Sequence, residues 1–183
     1  MRKSVVVRAD GDYGSFVRVA STFEDFQSRL SDNFLGNLRK ARNKLAKLPG
    51  VQTEFLTGEH ATAEHFGRFA EVEASGWKGR KGTALGASPA LVAFYTALSS
   101  RLAQEGWLEW HFLNGDGKTL AGHLGLRFGR SMVLLKIGYD EAYAKCGPGN
   151  LLFDHTVRRV FEHGDIDEIN CLTDMPWHLL SSR

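Results

Sequence analysis

From Trp107 to Tyr139 the chain reads WLEWHFL, TLAGHLGLRFG and SMVLLKIGY, three strand-like runs separated only by tight turns. Asn114-Gly115-Asp116-Gly117 joins the first two and Gly129-Arg130 the next. Asn, Asp and Gly tolerate the positive φ that short hairpin turns demand, so the three runs are expected to pair as an antiparallel meander. A loop follows, YDEAYAKCGPGN, then an apolar-faced helix from about Asn150 to His163 with Gly164 as its cap, and DEINCLT as a last strand.

Upstream, the pattern predicts a strand over VQTEFL, a helix from Thr62, and a second helix over SPALVAFYTALSSRLAQEG, with Ser88 as cap, Pro89 in the first turn and Gly106 past the end. SVVVR and SFVRVA flank the turn-like ADGDYG and read as an N-terminal hairpin over residues 4 to 19. Thr22 with Asp25 resembles a capping box, and Asp32 is expected to cap a longer helix that ends at Pro49-Gly50. On that helix Phe34, Leu38, Ala41, Leu45 and Leu48 share one face, and Arg39, Lys40, Arg42, Lys44 and Lys47 cover the rest with no acid from 33 to 48. Such a run reads either as a solvated face or as an electrostatic footing for an anionic partner.

The chain has 183 residues, 43% of them hydrophobic, which is enough for one domain with a sizeable core. The division expected is an N-terminal hairpin and short helix over 1–30 and one compact unit over 31–183. A net charge of +2 does not point to nucleic acid or membrane, and the apolar run Val5 to Val7 is far short of a signal peptide or a span. Cys146 and Cys171 have no CxxC spacing, and there is no HExxH, P-loop or spaced carboxylate set. A cytoplasmic, reduced protein without a metal is expected.

Gly147-Pro148-Gly149 in front of a helix carries the sharpest chemistry. Glycines allow close backbone approach, and the helix start offers unpaired N–H groups and the positive end of its dipole to a phosphate. Asn150, Leu151 and Leu152 would donate, and Lys145 would add charge; Pro148 removes one donor but presets the first turn. The same residues also serve as an ordinary strand-to-helix connection.

The order strand, helix, helix, three antiparallel strands, helix, strand resembles the core of the GCN5-related N-acetyltransferase (GNAT) superfamily, a mixed α/β (α+β) fold. There a meander leads into a phosphate-binding loop and helix, then a parallel strand that splays away to admit the pantetheine arm of acyl-CoA. The two glycines of Ala144 to Gly149 match that loop's pattern, and its leading Arg or Gln is absent. LGNLRKARNKLAKLPGV, GWKGRKGT, FYTALSSRLAQEGWLEWHFLNGDGKTLAGHLGL and KIGYDEAYAKCGPGNLL are similar, in order, to the GNAT-type domain of the family named for the cellulose-biosynthesis protein CelD, a relative of FemAB-type transferases. The resemblance implies acetyl-CoA or another acyl-CoA as co-substrate, with acceptors in envelope or exopolysaccharide pathways. It also implies functional positions at Tyr139, Asp140, Pro148 to Leu152, Trp77 and Lys78. That fold continues with a further helix and a C-terminal hairpin, for which the chain shows no pattern; the expectation is that the N-terminal hairpin fills those sheet positions, that a second copy does, as a homodimer, or that the 183 residues are one domain of something larger.

Acyl transfer needs a base, a carbonyl polariser and an acid for the departing thiolate. Asp140 is the expected base; Tyr139 and Tyr143 are expected as thiolate acids or orienting groups. Lys145, Gly147, Gly149, Asn150 and Leu151 are the expected cofactor-binding set. Lys136, a lysine in an apolar strand, and His123 are expected to face the substrate, together with the basic aromatic segment Trp77 and Lys78. His123 also reads as a hydrogen-bonded core histidine, and Glu109, His111 and His123 alternate along two strands so that one sheet face can hold them. The expected acceptor is a small molecule or glycan amine or hydroxyl. FemAB-like aminoacyl transfer from tRNA, with the basic helix on RNA, and a non-catalytic binding module are the alternatives.

Overall fold

The computed structural model describes residues 15–172 apart from 77, 78, 80 and 83. Trp77 and Lys78, the first strand of the expected N-terminal hairpin, and everything after Leu172 lie outside the described residues.

Among the described residues six strands form one mixed sheet: β1 (Phe16–Arg18), β2 (Gln52–Leu56), β3 (Leu108–Gly115), β4 (Lys118–Phe128), β5 (Ser131–Tyr139) and β6 (Glu168–Asn170), in the spatial order β1-β6-β5-β4-β3-β2. The meander forms as the turns dictate, with Asp116 and Gly117 at φ 55° and 73° between β3 and β4. β5 and β6 run parallel, joined by the long helix that a parallel crossover requires. β1 pairs antiparallel with the far side of β6, so the N-terminal segment does occupy a sheet position beyond the last strand.

Among the described residues five helices cover the sheet: α1 (Phe23–Ser28), α2 (Asp32–Leu45), α3 (His65–Ala74), α4 (Pro89–Gln104) and α5 (Pro148–His163). Thr22 caps α1 and Ser88 caps α4 through their hydroxyls. The cap of α2 is Ser31, which accepts from the Phe34 amide at 3.2 Å, and Asp32 stands inside the first turn. The expectation for Asp32 is off by one because the serine hydroxyl already satisfies the orphan amide. α3 begins at His65, three residues after the Thr62 expected from the pattern.

One face of the sheet packs on α3 and α4 around Phe66, Phe69, Trp110, Phe112 and Leu124. The other packs on α1, α2 and α5 in two clusters, with Leu113, Leu151 and Leu152 meeting Leu38 and Leu45 of α2, and Met132, Leu134 and Ile169 meeting Phe153 and Val157. Their buried apolar area stabilises the sandwich at about 25 cal/mol per Å².

Two irregularities open the sheet where the site lies. A bulge between Leu124 and Gly125 leaves Leu135 of β5 unpaired, since Leu124 faces Lys136 and Gly125 faces Leu134. The β5–β6 ladder also stops early: its last pair is Val133 with Asn170, and β5 runs on to Tyr139 with no partner on that side among the described residues.

Candidate active site

A cleft of about 430 Å³ occupies the ground that this unzipping leaves. Its wall is the free half of β5, Leu134 to Tyr139, and its floor and ends come from Glu73 of α3, His123 of β4, the start of α5 and Cys171. Gly138 lets α3 lie close against β5, since a Cβ there would stand 3.1 Å from the Glu73 Cα.

The start of α5 is shaped by Gly147, whose φ of 55° is left-handed; its amide closes the preceding 3-10 turn (Glu141–Cys146) on Ala144. The first helical bond of α5 runs from the Leu151 amide to the Gly147 carbonyl at 3.0 Å. Pro148 has no N–H and Gly147 has no capping side chain, so the amides of Gly149 and Asn150 are left without a helical acceptor. Gly149 and Asn150 both line the cleft. The ring of Tyr139 lies against Gly149, and a Cβ built there would come within 3.3 Å of its Cδ1.

This geometry sorts the expected residues. Tyr139, Gly147, Gly149, Asn150, Lys136 and His123 all line the one cleft. Lys136 solves its burial problem by extending its Nζ over the Tyr95 ring, 5.6 Å from the centroid, at the cleft wall. Leu151 is different: its amide is spent on Gly147 and its side chain belongs to the core, so the donors shift one residue toward the glycines. Asp140 and Tyr143 do not line the cleft. Asp140 caps the 3-10 turn through the Ala142 amide at 2.9 Å and lies 3.5 Å from Lys118 Nζ. Tyr143 donates its hydroxyl to Asp116, a hydrogen bond that, with burial, raises its pKa. A compact 3-10 turn, in place of an extended loop, turns both side chains toward the β3–β4 turn. Lys145 faces a second hollow of about 220 Å³ between α2 and the turn, lined also by Lys40, Lys44 and Asn150, and its carbonyl accepts from Lys44 Nζ.

Sequence reasoning missed Glu73 and Glu141, both of which line the cleft, and Thr156 of α5, which is buried beneath His123. No local pattern marks Glu73 or Thr156, because each arrives through the packing of a separate helix, and nothing in the turn after β5 singles out Glu141. The alternation of Glu109, His111 and His123 was the one usable signal there. His111 and His123 are direct partners across β3 and β4, and His111 stands between Glu109 Oε2 at 3.1 Å and Thr156 Oγ1 at 3.0 Å. Burial, and then the neighbouring His111, push the pKa of His123 well below the usual imidazole value.

A splayed parallel strand pair with a bare helix N-terminus at its mouth defines an acyltransferase-type fold, and the sequence agrees: residues 32–177 match the acetyltransferase (GNAT) domain family. The chain belongs to that family. No curated protein sequence matches it. Among solved structures it is similar to FemX (TM-score 0.61, 10% identity, covering 86% of this chain and 52% of that one). It is also similar to a conserved protein of unknown function from Bacteroides thetaiotaomicron VPI-5482 (TM-score 0.56, 12% identity, 91% and 54%). A third is the C-terminal domain of a putative lysylphosphatidylglycerol synthetase from Agrobacterium fabrum (TM-score 0.53, 14% identity, 86% and 44%). These likenesses are of fold, and the chain spans about half the length of these three structures. Among the described residues no group of His, Cys, Asp and Glu could hold a metal ion, and no helix is long and apolar enough to cross a membrane.

Proposed function

We propose that this protein transfers an acyl group from acyl-CoA to an amine or hydroxyl acceptor. The observation that carries the reading is the end of the β5–β6 ladder at Val133 and Asn170, with the cleft that follows leading to the free amides of Gly149 and Asn150. Two orphan amides and a helix dipole suit a diphosphate. The unpaired edge of β5 suits an extended amide-bearing arm, which can hydrogen-bond to it as an added strand would. The absence of a Cβ at Gly149 gives the phosphate room beside Tyr139. Tyr139, at the end of β5, is the acid or orienting group this reading retains from the sequence. Asp140 is not retained as base.

The resemblance to the CelD family makes an envelope or exopolysaccharide sugar the acceptor to test first, in the cytoplasm, where acyl-CoA is made. A homodimer would pair copies edge to edge along the sheet, which size-exclusion chromatography would reveal. Acetyl-CoA should raise the melting temperature, because a ligand that binds only the folded state stabilises it by mass action. If several acyl-CoAs leave melting unchanged, the fold serves as a binding module.

A donor carried on tRNA is the second reading. It is favoured by the basic hollow of Lys40, Lys44 and Lys145, which shares Gly147 and Asn150 with the cleft. Strongly salt-dependent tRNA binding, with no response to acyl-CoA, would select it.

A further inference from the structure

A chain of buried polar side chains crosses the sheet from Glu109 to the cleft. Glu109 Oε2 lies 3.1 Å from His111 Nε2, His111 Nδ1 lies 3.0 Å from Thr156 Oγ1, and Thr156 Oγ1 lies 3.5 Å from His123 Nδ1. Glu109, His111, Thr156 and His123 are each no more than 3% exposed. His123 lines the cleft, and its Nε2 has no protein partner among the described residues.

The chain has a direction. As a carboxylate, Glu109 only accepts, and the Arg127 guanidinium lies 4.0 Å from its other oxygen. In the neutral ring of His111 the proton shared with Glu109 sits on Nε2, which leaves Nδ1 to accept from the Thr156 hydroxyl. Thr156 in turn can only accept from His123, so His123 carries its proton on Nδ1 and presents the Nε2 lone pair to the cleft. The tautomer is dictated from three residues away.

We propose that His123 Nε2 is the base of acyl transfer, and that Glu109, His111 and Thr156 are positioning residues that fix its tautomer and carry its proton onward. The proposal rests on the acyltransferase reading above. As the acceptor nitrogen or oxygen bonds to the thioester carbonyl carbon, its proton bonds to His123 Nε2. The Nδ1 proton of His123 passes to Thr156, the hydroxyl proton of Thr156 to His111 Nδ1, and the Nε2 proton of His111 to Glu109. The carbon–sulfur bond breaks with its electron pair on sulfur. The protons then shift back, and His123 Nε2 delivers one to the sulfur, so that CoA leaves as the thiol. No imidazole holds two protons at any stage, which suits rings as deeply buried as those of His111 and His123. The charged groups that line the cleft with His123 are Lys136 from β5, Glu73 from α3 and Glu141 from the 3-10 turn, and the ring of His111 lies 5.9 Å from that of His123, centroid to centroid.

The test is long-range 1H–15N NMR of the histidine rings in the intact 15N-labelled protein, without ligand. The wild type should show His123 protonated on Nδ1 and bare on Nε2. Thr156→Ser should keep that state, and Thr156→Val, which preserves shape, should move His123 to the Nε2-protonated tautomer or a mixture. An Nε2-protonated His123 in the wild type, or an unchanged tautomer in Thr156→Val, would overturn the proposal. With hydroxylamine as a small acceptor and acetyl-CoA as donor, Thr156→Val should lower kcat about 10²-fold with KM for acetyl-CoA unchanged; equal kcat would also overturn it. A wild type that shows the stated tautomers yet neither binds nor consumes acetyl-CoA would count against the acyltransferase reading, and with it the role of base.

Discussion

Tyr139 lays its ring against Gly149, where an added Cβ would stand 3.3 Å from the Tyr139 Cδ1. The end of the free strand and the start of the long helix therefore touch at the one residue that lacks a side chain. Gly149 has no positive φ, so a larger residue is tolerated by the backbone and occupies the space in front of the amides. Gly149→Val should leave the fold intact by circular dichroism and weaken CoA binding by more than about tenfold, or about 1.4 kcal/mol. Isothermal titration of both proteins checks this, and equal affinities would remove the helix start as the phosphate site.

Gly147 answers to a different constraint. Its φ of 55° is left-handed, and a Cβ would also press to 3.2 Å on the Ala41 side chain of α2. Gly147→Ala should therefore destabilise the protein by about 1–2 kcal/mol, read as a lower urea midpoint with an unchanged slope.

Acid should weaken the fold before carboxylates titrate. Burial lowers the pKa of His123, which His111 lowers further, and burial likewise lowers that of His155. For groups whose folded pKa is depressed, the stabilising contribution is complete above the unfolded value, about 6.5, and is lost as pH falls through the folded one. Denaturation midpoints should decline from pH 7 toward pH 5, and His123→Gln should flatten that decline. A pH-independent midpoint over this range would contradict the burial of these rings.

Cys171, at the cleft margin, is buried, and burial pushes its thiol pKa up to about 11. Only about one molecule in a thousand would carry its thiolate at pH 8. Iodoacetamide at that pH should modify the more accessible Cys146 first, as peptide mass mapping will show. Faster labelling of Cys171 would mean that the cleft is more open than described.

Much of the architecture was legible because it depends on short-range chemistry. Asp116, Gly117 and Gly129 turn the meander, Thr22 and Ser88 mark helix starts, and Gly147 and Gly164 bracket α5. The site was legible where it follows from chain order, as with Tyr139, Gly149, Asn150 and Lys136 on consecutive elements. It was not legible where a side chain had a choice of direction. Asp140 follows the third meander strand immediately but turns to cap the 3-10 helix, and Tyr143 finds Asp116 across 27 residues of sequence. Glu73 reaches the cleft, and Thr156 the rings of His111 and His123, from helices whose packing no local pattern encodes.

The most direct measurement is a 1H–15N titration of the backbone amides with CoA. Gly149 and Asn150 should show the largest downfield shifts in the protein, saturating with the same affinity as binding measured by calorimetry. CoA binding that leaves these two amides unmoved would contradict the assignment of the diphosphate to the start of α5.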